Sequence, residues 1–132
     1  MVNPSKEVSW FVALGAIAAF IGVGAGAFGA HALKDALTPD LMRSYQTAVH
    51  YQLVHALGLV AVGLCERVFG ASWLMKLSGL TMLLGLVLFC GSLYLLVLTG
   101  LRQIGLITPI GGIAFLVGWL CLAVGIVWGR RI

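Results

Sequence analysis

Charged side chains are scarce in this sequence: 132 residues include eight Lys or Arg and four Asp or Glu. That is 9% of the chain, whereas an ordinary soluble domain carries about a quarter charged residues. The shortage excludes an intrinsically disordered chain, which needs low hydrophobicity and high net charge. Because 61% of the residues are hydrophobic, it also excludes a soluble enzyme.

Motifs for metals, cofactors and polyanions are missing as well. The three cysteines, Cys65, Cys90 and Cys121, stand far apart and give no disulfide framework or Cys-His cluster. His31 and His55 fall at different depths, so a haem held by these two residues is excluded. There is no HExxH sequence or phosphate-binding glycine loop, and the basic residues are too scattered for nucleic acid. We therefore expect no metal, no cofactor and no nucleic-acid partner.

Long apolar runs are what the sequence has instead. A bilayer core of about 30 Å needs about 20 apolar residues per spanning helix. The predicted spans cover residues 10–30, 47–65, 73–99 and 109–128. Short loops make consecutive helices antiparallel, so the sequence predicts an all-α membrane protein with four transmembrane helices in an antiparallel bundle, one domain over residues 1–132. No charged residue falls at a predicted midplane, which argues against a carboxylate-driven proton antiporter.

The distribution of Lys and Arg predicts that both termini are cytoplasmic. Five lie on the side of the termini and the second loop, and three lie on the other side. The five are Lys6, Arg67, Lys76, Arg130 and Arg131, and the three are Lys34, Arg43 and Arg102. Trp10, Trp73 and Trp128 fall at the same cytoplasmic boundary, where amphipathic rings prefer to sit.

Two Thr-Pro pairs predict where helices begin on the outer side. In the Thr-Pro-Asp sequence at 38–40, Thr can cap free N–H groups, Pro suits the first helical position, and Asp favours the positive helix start. Helix two is therefore predicted to begin at Pro39, and the pair at 108–109 repeats the signal before helix four. The segment 31–37 either continues helix one or lies along the membrane surface.

Small residues recur at every fourth position of helix one: Ala18, Gly22, Gly26 and Ala30. Residues four apart share a helix face, and small residues let transmembrane backbones approach closely. The stripe fits packing inside the bundle or a dimer seam. We favour internal packing, because a four-helix bundle needs such contacts in any case.

A polar face is predicted on helix two. At about 100° per residue, His55 shares a stripe with Tyr45, Ala48 and Gln52, whereas His50 points to the opposite side. We expect His55 to face the bundle, because a polar side chain within the membrane needs a partner. Its role is either an interhelical hydrogen bond or contact with a ligand or proton, and the absence of a nearby carboxylate favours the structural role.

Several polar side chains are expected to converge in depth near the outer end of the bundle. The candidate cluster contains His31, Tyr51, Gln52, His55, Ser92 and Tyr94. The cluster is either a shallow binding site or a set of hydrogen bonds that closes the bundle. The sequence does not separate these two interpretations.

Four stretches taken together resemble a known family. They are residues 26–33 (GAFGAHAL), 47–57 (TAVHYQLVHAL), 91–94 (GSLY) and 108–112 (TPIGG). In this order they resemble the domain-of-unknown-function 423 family of small YgdD-like inner-membrane proteins, which are also similar to eukaryotic transmembrane protein 256. The resemblance implies a four-span protein of the bacterial inner membrane and supplies no reaction. The positions that match the family pattern are His31, Tyr51, Gln52, His55, Ser92, Tyr94, Thr108 and Pro109.

The sequence supports two hypotheses on function. The first is a non-enzymatic protein that acts through helix contacts with itself or with a membrane partner, for which the Ala18–Ala30 stripe is the reason. The alternative is binding or transport of a small ligand or lipid by the outer polar cluster. An enzyme is the weakest hypothesis, since no nucleophile–base pair or metal constellation can be named. Membrane lipids are expected partners in every case.

Overall fold

A computed structural model describes residues 9–128, in which every regular element is helical. The predicted orientation also rests on Lys6, Arg130 and Arg131, which lie outside the described residues. The elements are α1 (Trp10–His31), α2 (Pro39–Phe69), α3 (Trp73–Gly85), a π turn (Leu86–Cys90), α4 (Gly91–Thr99), a 3₁₀ helix (Arg102–Leu106) and α5 (Thr108–Trp128). The segment α3–π turn–α4 forms the third long helix.

Within the described residues, four helices are long and apolar enough to cross a membrane. They confirm the predicted all-α class with four spanning helices. Helix α2 is longer than its predicted span of 47–65, because it begins at Pro39 and ends at Phe69. The side on which the termini lie remains a prediction.

Side-chain caps explain where α1 and α2 begin. The Thr38 hydroxyl accepts a hydrogen bond of 3.3 Å from the Leu41 N–H, and Pro39 occupies the first turn, so the predicted start of helix two is confirmed. Ser9 accepts from the N–H of Val12 at 3.4 Å in the same way. The C-terminal end of α1 is at His31, and residues 32–38 form a turn. The segment therefore does not continue helix one.

The four long helices pack as two pairs. Helix α1 packs mainly on α2, and α3 packs mainly on α5. Helix α2 joins the pairs, because it also contacts α3, the π turn and α4. The buried core between the pairs contains Leu59, Val62, Met75, Met82 and Leu122.

Glycines at every seventh position form the contact of α1 with α2. Gly15, Gly22 and Gly29 are the buried residues of α1. A Cβ atom on Gly15 would lie 2.7 Å from the Ala56 carbonyl oxygen, and one on Gly22 would lie 2.8 Å from the Leu53 Cδ2. We call these three residues the glycine seam.

The predicted stripe coincides with the glycine seam only in part. Gly22 belongs to both, Gly26 lies beside Val49 of α2, and Ala30 is exposed. The reason is rotational drift, since a step of four residues overshoots a full turn by about 40° and a step of seven falls short of two turns by about 20°. The small residues that face α2 are therefore engaged within the chain.

Candidate functional site

The predicted polar face of helix two is buried. Tyr45, Ala48, Gln52 and His55 are all buried, and His50 on the opposite side is exposed. The expectation that His55 faces the bundle is therefore confirmed. The six residues of the predicted polar cluster, in contrast, are divided among four environments.

Gln52 and Tyr94 belong to a hydrogen-bonded network that links three helices. The Gln52 Nε2 donates to the Ala18 carbonyl oxygen of α1 at 2.9 Å, and the Tyr94 hydroxyl of α4 donates to the Gln52 Oε1 at 2.6 Å. The ring of Tyr45 packs edge-on against Tyr94, and its hydroxyl donates to the Ala25 carbonyl. Both ends of the Gln52 amide are engaged by the protein, so this network holds helices together.

The Ser92 side chain forms a hydrogen bond with the backbone of the π turn. Its hydroxyl donates to the Phe89 carbonyl at 2.9 Å, inside the π turn, where the regular helical ladder is interrupted. A hydroxyl has one proton, so the Thr108 hydroxyl, 2.6 Å away, donates to the Ser92 oxygen. This pair of hydroxyl groups connects α4 to the start of α5.

Tyr51 and His55 line an open cavity of about 470 Å³ between α2, the π turn and α5. We call this cavity the aromatic groove, after the rings of Tyr51, His55, Phe89, Phe115 and Trp119 that line it. It runs along α5 from Pro109 to Trp119, about 15 Å at 1.5 Å per residue. The remaining lining residues, Pro109, Gly112, Ile113 and Leu116, are apolar.

Three rings of the groove, Tyr51, His55 and Phe115, are nearly parallel, and the rings of Phe89 and Trp119 are tilted against them. The His55 ring lies 3.5 Å from the Phe115 ring, centroid to centroid, with an angle of 14° between the planes. Tyr51 is nearly parallel to His55, at 10° and 5.7 Å. Phe89 lies 4.4 Å from Tyr51, and Trp119 lies 5.8 Å from His55 at a tilt of 60°. The groove wall is therefore one continuous aromatic surface.

Glycines behind the groove make room for its rings. A Cβ on Gly58 would lie 3.0 Å from the Trp119 ring, and Cβ atoms on Gly85 and Gly111 would collide with Phe115 and with the Phe89 backbone. In contrast, a Cβ on Gly112 would be 3.8 Å from the Phe89 ring, an ordinary contact. Gly112 thus borders open space, and the other three glycines border the packed wall.

Three polar atoms of the groove have no hydrogen bond within residues 9–128. The His55 Nδ1 lies 2.8 Å from the Tyr51 carbonyl oxygen, which leaves Nε2 as the remaining polar atom of the ring. The Tyr51 hydroxyl and the Trp119 indole N–H also make no hydrogen bond with the described part of the chain. His55 is only 5% exposed, but no buried side-chain nitrogen or oxygen within residues 9–128 lacks a hydrogen bond, so its Nε2 retains accessible surface.

His31 stands apart from these groups. It is exposed at the C-terminal end of α1 and does not line the aromatic groove. Across residues 9–128, no three His, Cys, Asp or Glu side chains come close enough to hold a metal ion.

The sequence-based prediction missed Phe89, Phe115 and Trp119. A usable signal existed for the last two, which lie four residues apart and therefore on one face of α5. Trp119 is also the tryptophan that falls inside a span, whereas the other three fall at a predicted boundary. The sequence carries no comparable spacing pattern for Phe89, because the position of its ring depends on the π turn.

Comparison with known proteins agrees with this architecture. Residues 25–112 match the family described as "Protein of unknown function (DUF423)". A UPF0382 membrane protein of Staphylococcus saprophyticus is 44% identical over 117 residues, covering 87% of this chain and 94% of that protein. The UPF0382 membrane protein YwdK of Bacillus subtilis is 40% identical, over 89% of this chain and 95% of its own length.

The UPF0382 inner membrane protein YgdD of Escherichia coli is 39% identical over 116 residues, which cover 88% of each chain. No solved structure matches the chain. The family match covers two thirds of the sequence, and these relatives are matched over nearly their whole length. The chain therefore belongs to the DUF423 family, and it is a multi-pass protein of the bacterial inner membrane.

Proposed function

We propose that this protein binds a small, membrane-soluble molecule in the aromatic groove. The observation that carries the proposal is His55, whose side chain lines the groove and whose accessible Nε2 atom has no hydrogen bond in the described part of the chain. A polar atom in an apolar environment without a hydrogen bond costs free energy. An occupant that bonds to this atom would recover that energy.

The size and lining of the groove support the same function. Small-molecule sites are mostly apolar clefts of about 300–1,000 Å³ with a few polar groups, and the groove has about 470 Å³. Its polar groups are His55, Tyr51 and Trp119, and the rest of its lining is apolar. The buried network around Gln52 does not contribute, because its groups are bonded to each other and to α1.

Native mass spectrometry of the protein extracted gently from its own membrane tests the proposal. Gly112→Leu places a large side chain in the groove, and its Cβ lies at an ordinary contact distance of 3.8 Å from the Phe89 ring. Gly24→Leu is the matched control on α1, where a Cβ meets nothing within 4 Å. We expect a stoichiometric small-molecule adduct on the wild type and on Gly24→Leu, and its loss from Gly112→Leu.

Two results would overturn binding in the groove. One is a wild-type protein without any stoichiometric adduct. The other is an adduct of the same mass and occupancy on Gly112→Leu, which would locate the molecule elsewhere. The thermal stability of both variants in detergent serves as the folding control.

A second candidate function is self-association through the outer face of α1. An open notch of about 530 Å³ lies on this face, lined by the small residues Ala16, Ala19 and Gly24 and by the larger Phe20, Ile21 and Val23. The Phe20 side chain, which is part of this lining, is 79% exposed. Two copies related by a two-fold axis can each insert Phe20 into the other's notch, a self-complementary arrangement of the kind dimers use.

The same spectra test this second function with the roles of the two variants exchanged. If α1 forms the dimer contact, the wild type and Gly112→Leu are dimeric and Gly24→Leu is monomeric, because leucine fills the notch. A monomeric wild type, or a dimer that persists in Gly24→Leu, would contradict self-association through α1.

A further inference from the structure

We infer that the molecule held in the aromatic groove is a neutral, flat ring compound that carries a hydroxyl group, of the phenol or hydroquinone class. The inference rests on the proposed binding function and specifies its ligand. It depends on three features of the groove: the hydrogen-bonding state of His55, the parallel rings, and the absence of charge from the lining.

The hydrogen bond of His55 fixes which of its nitrogens carries the proton. The Nδ1 atom lies 2.8 Å from the Tyr51 carbonyl oxygen. A carbonyl oxygen accepts and cannot donate, so Nδ1 bears the proton and donates it. A charged imidazolium is costly within the membrane, and the neutral ring then presents a lone pair at Nε2. The occupant must therefore donate a hydrogen bond to His55.

The other two polar groups of the groove, on Trp119 and Tyr51, limit which kind of hydrogen-bond donor the ligand can carry. The Trp119 indole N–H can only donate, and the Tyr51 hydroxyl can both donate and accept. Neither has a hydrogen-bond partner within residues 9–128. A hydroxyl group donates one hydrogen bond and accepts others, so it can satisfy His55 together with either neighbour. A ligand with only acceptors, such as an ether or a simple ketone, cannot satisfy Nε2.

The parallel rings favour an aromatic occupant. The rings of Tyr51, His55 and Phe115 are nearly parallel: the plane of His55 differs by 10° from that of Tyr51 and by 14° from that of Phe115. Tyr51 is 39% exposed, so part of its ring remains uncovered at the groove. Aromatic rings prefer offset-stacked or edge-to-face neighbours at about 4.5–7 Å between centroids. A flat ring seated there extends the stack and brings a ring hydroxyl near His55.

The lining also excludes a charged ligand. The lining residues of the groove contain no Asp, Glu, Lys or Arg. An ionic group in this apolar setting would have no counter-charge, and its desolvation would be costly. A neutral phenolic hydroxyl meets the hydrogen-bonding requirement without this cost.

A pair of probes tests the inference on the purified full-length protein in nanodiscs. The compounds 4-hexylphenol and 4-hexylanisole share a ring and a tail, but only the first can donate a hydrogen bond. We expect the wild type to bind the phenol about tenfold more tightly than the anisole, as expected for one buried hydrogen bond. In His55→Phe, which keeps an aromatic ring in the stack, we expect both probes to bind with equal affinity, and in Gly112→Leu we expect neither to bind.

The outcomes separate this inference from the proposed function. Equal affinity of the wild type for the two probes, or a preference for the phenol that survives in His55→Phe, overturns the donor requirement. A wild type that binds neither probe overturns the ring class. In both cases a native adduct that disappears in Gly112→Leu still supports binding in the groove, whereas the absence of any native adduct removes the proposed function itself.

Discussion

Gln52 shows how much one polar side chain can fix in a membrane protein. Its amide nitrogen donates to α1 and its amide oxygen accepts from Tyr94 of α4, so a residue of α2 joins two other helices. Hydrogen bonds of this kind are worth about 0.6 kcal/mol on average between membrane helices, with values up to about 1.7. Because Gln52 and Tyr94 share one of these hydrogen bonds, the effects of substitutions at the two positions are expected to be coupled.

We predict that Gln52→Leu lowers the free energy of unfolding by about 1–2 kcal/mol and that Tyr94→Phe lowers it by about 1 kcal/mol. The double variant should lose less than the sum, with a coupling of about 0.5–1 kcal/mol, because either change alone breaks the same bond. Unfolding equilibria in mixed detergent micelles measure all three values.

Thr99→Val is the control for this cycle, because the exposed Thr99 hydroxyl makes only local hydrogen bonds, donating to the Leu95 carbonyl oxygen and accepting from the Leu101 N–H. Strict additivity of the Gln52 and Tyr94 variants would contradict a shared bond.

At the scale of helices, α1 depends on the glycine seam for its position. Lipid competes with the protein for apolar side chains, so close packing of backbones holds membrane helices together. The seven-residue spacing of Gly15, Gly22 and Gly29 keeps one side of α1 against α2 along its length. The seam also explains why the predicted stripe, with four-residue spacing, leaves this face at Ala30.

We predict that Gly15→Val destabilises the protein by about 1–3 kcal/mol, because the new side chain meets the Ala56 carbonyl oxygen, which belongs to the backbone and cannot move aside cheaply. Gly24→Val should change stability by less than about 0.5 kcal/mol, since a Cβ there meets nothing within 4 Å. Thermal unfolding in detergent measures both. Valine has a higher helix propensity than glycine, so propensity cannot explain a loss, and equal losses in the two variants would contradict a specific role for the Gly15 contact.

At the scale of the whole molecule, the four spans alternate across the membrane. The turn at 32–38 and the segment 100–107 therefore lie at one end, and the connection at 70–72 lies at the other. The excess of Lys and Arg at the latter end and near the termini predicts that it is cytoplasmic.

We predict that a membrane-impermeant maleimide labels cysteines introduced at Asp35 or Gln103 in intact spheroplasts, and labels a cysteine at Ala71 only after permeabilisation. All three positions are exposed, and the three native cysteines are replaced by alanine for this measurement. The reverse labelling pattern would place both termini on the outer side. Labelling of Asp35 and Gln103 from opposite sides would contradict the four-span arrangement.

Several features of this protein follow from the sequence by itself. The number of spans was predictable, because a run of about 20 uncharged apolar residues has no other favourable place than a bilayer. The start of α2 was predictable from Thr38 and Pro39, since capping is a local interaction. The inward face of α2 was predictable because it carries Gln52 and His55, which are polar and need partners.

Only the tertiary structure decided which apolar faces meet. Lipid tails and the protein interior are equally apolar, so hydrophobic periodicity does not separate a lipid-facing surface from a helix contact. The pairing of α1 with α2 and of α3 with α5 was therefore not readable from the pattern. For the same reason the sequence predicts a single polar cluster, whereas in the structure Gln52 and Tyr94 bond to each other and Tyr51 and His55 line the aromatic groove. The groove also required the π turn, which brings Phe89 to Tyr51, and such a turn depends on contacts with neighbouring helices that the local sequence does not specify.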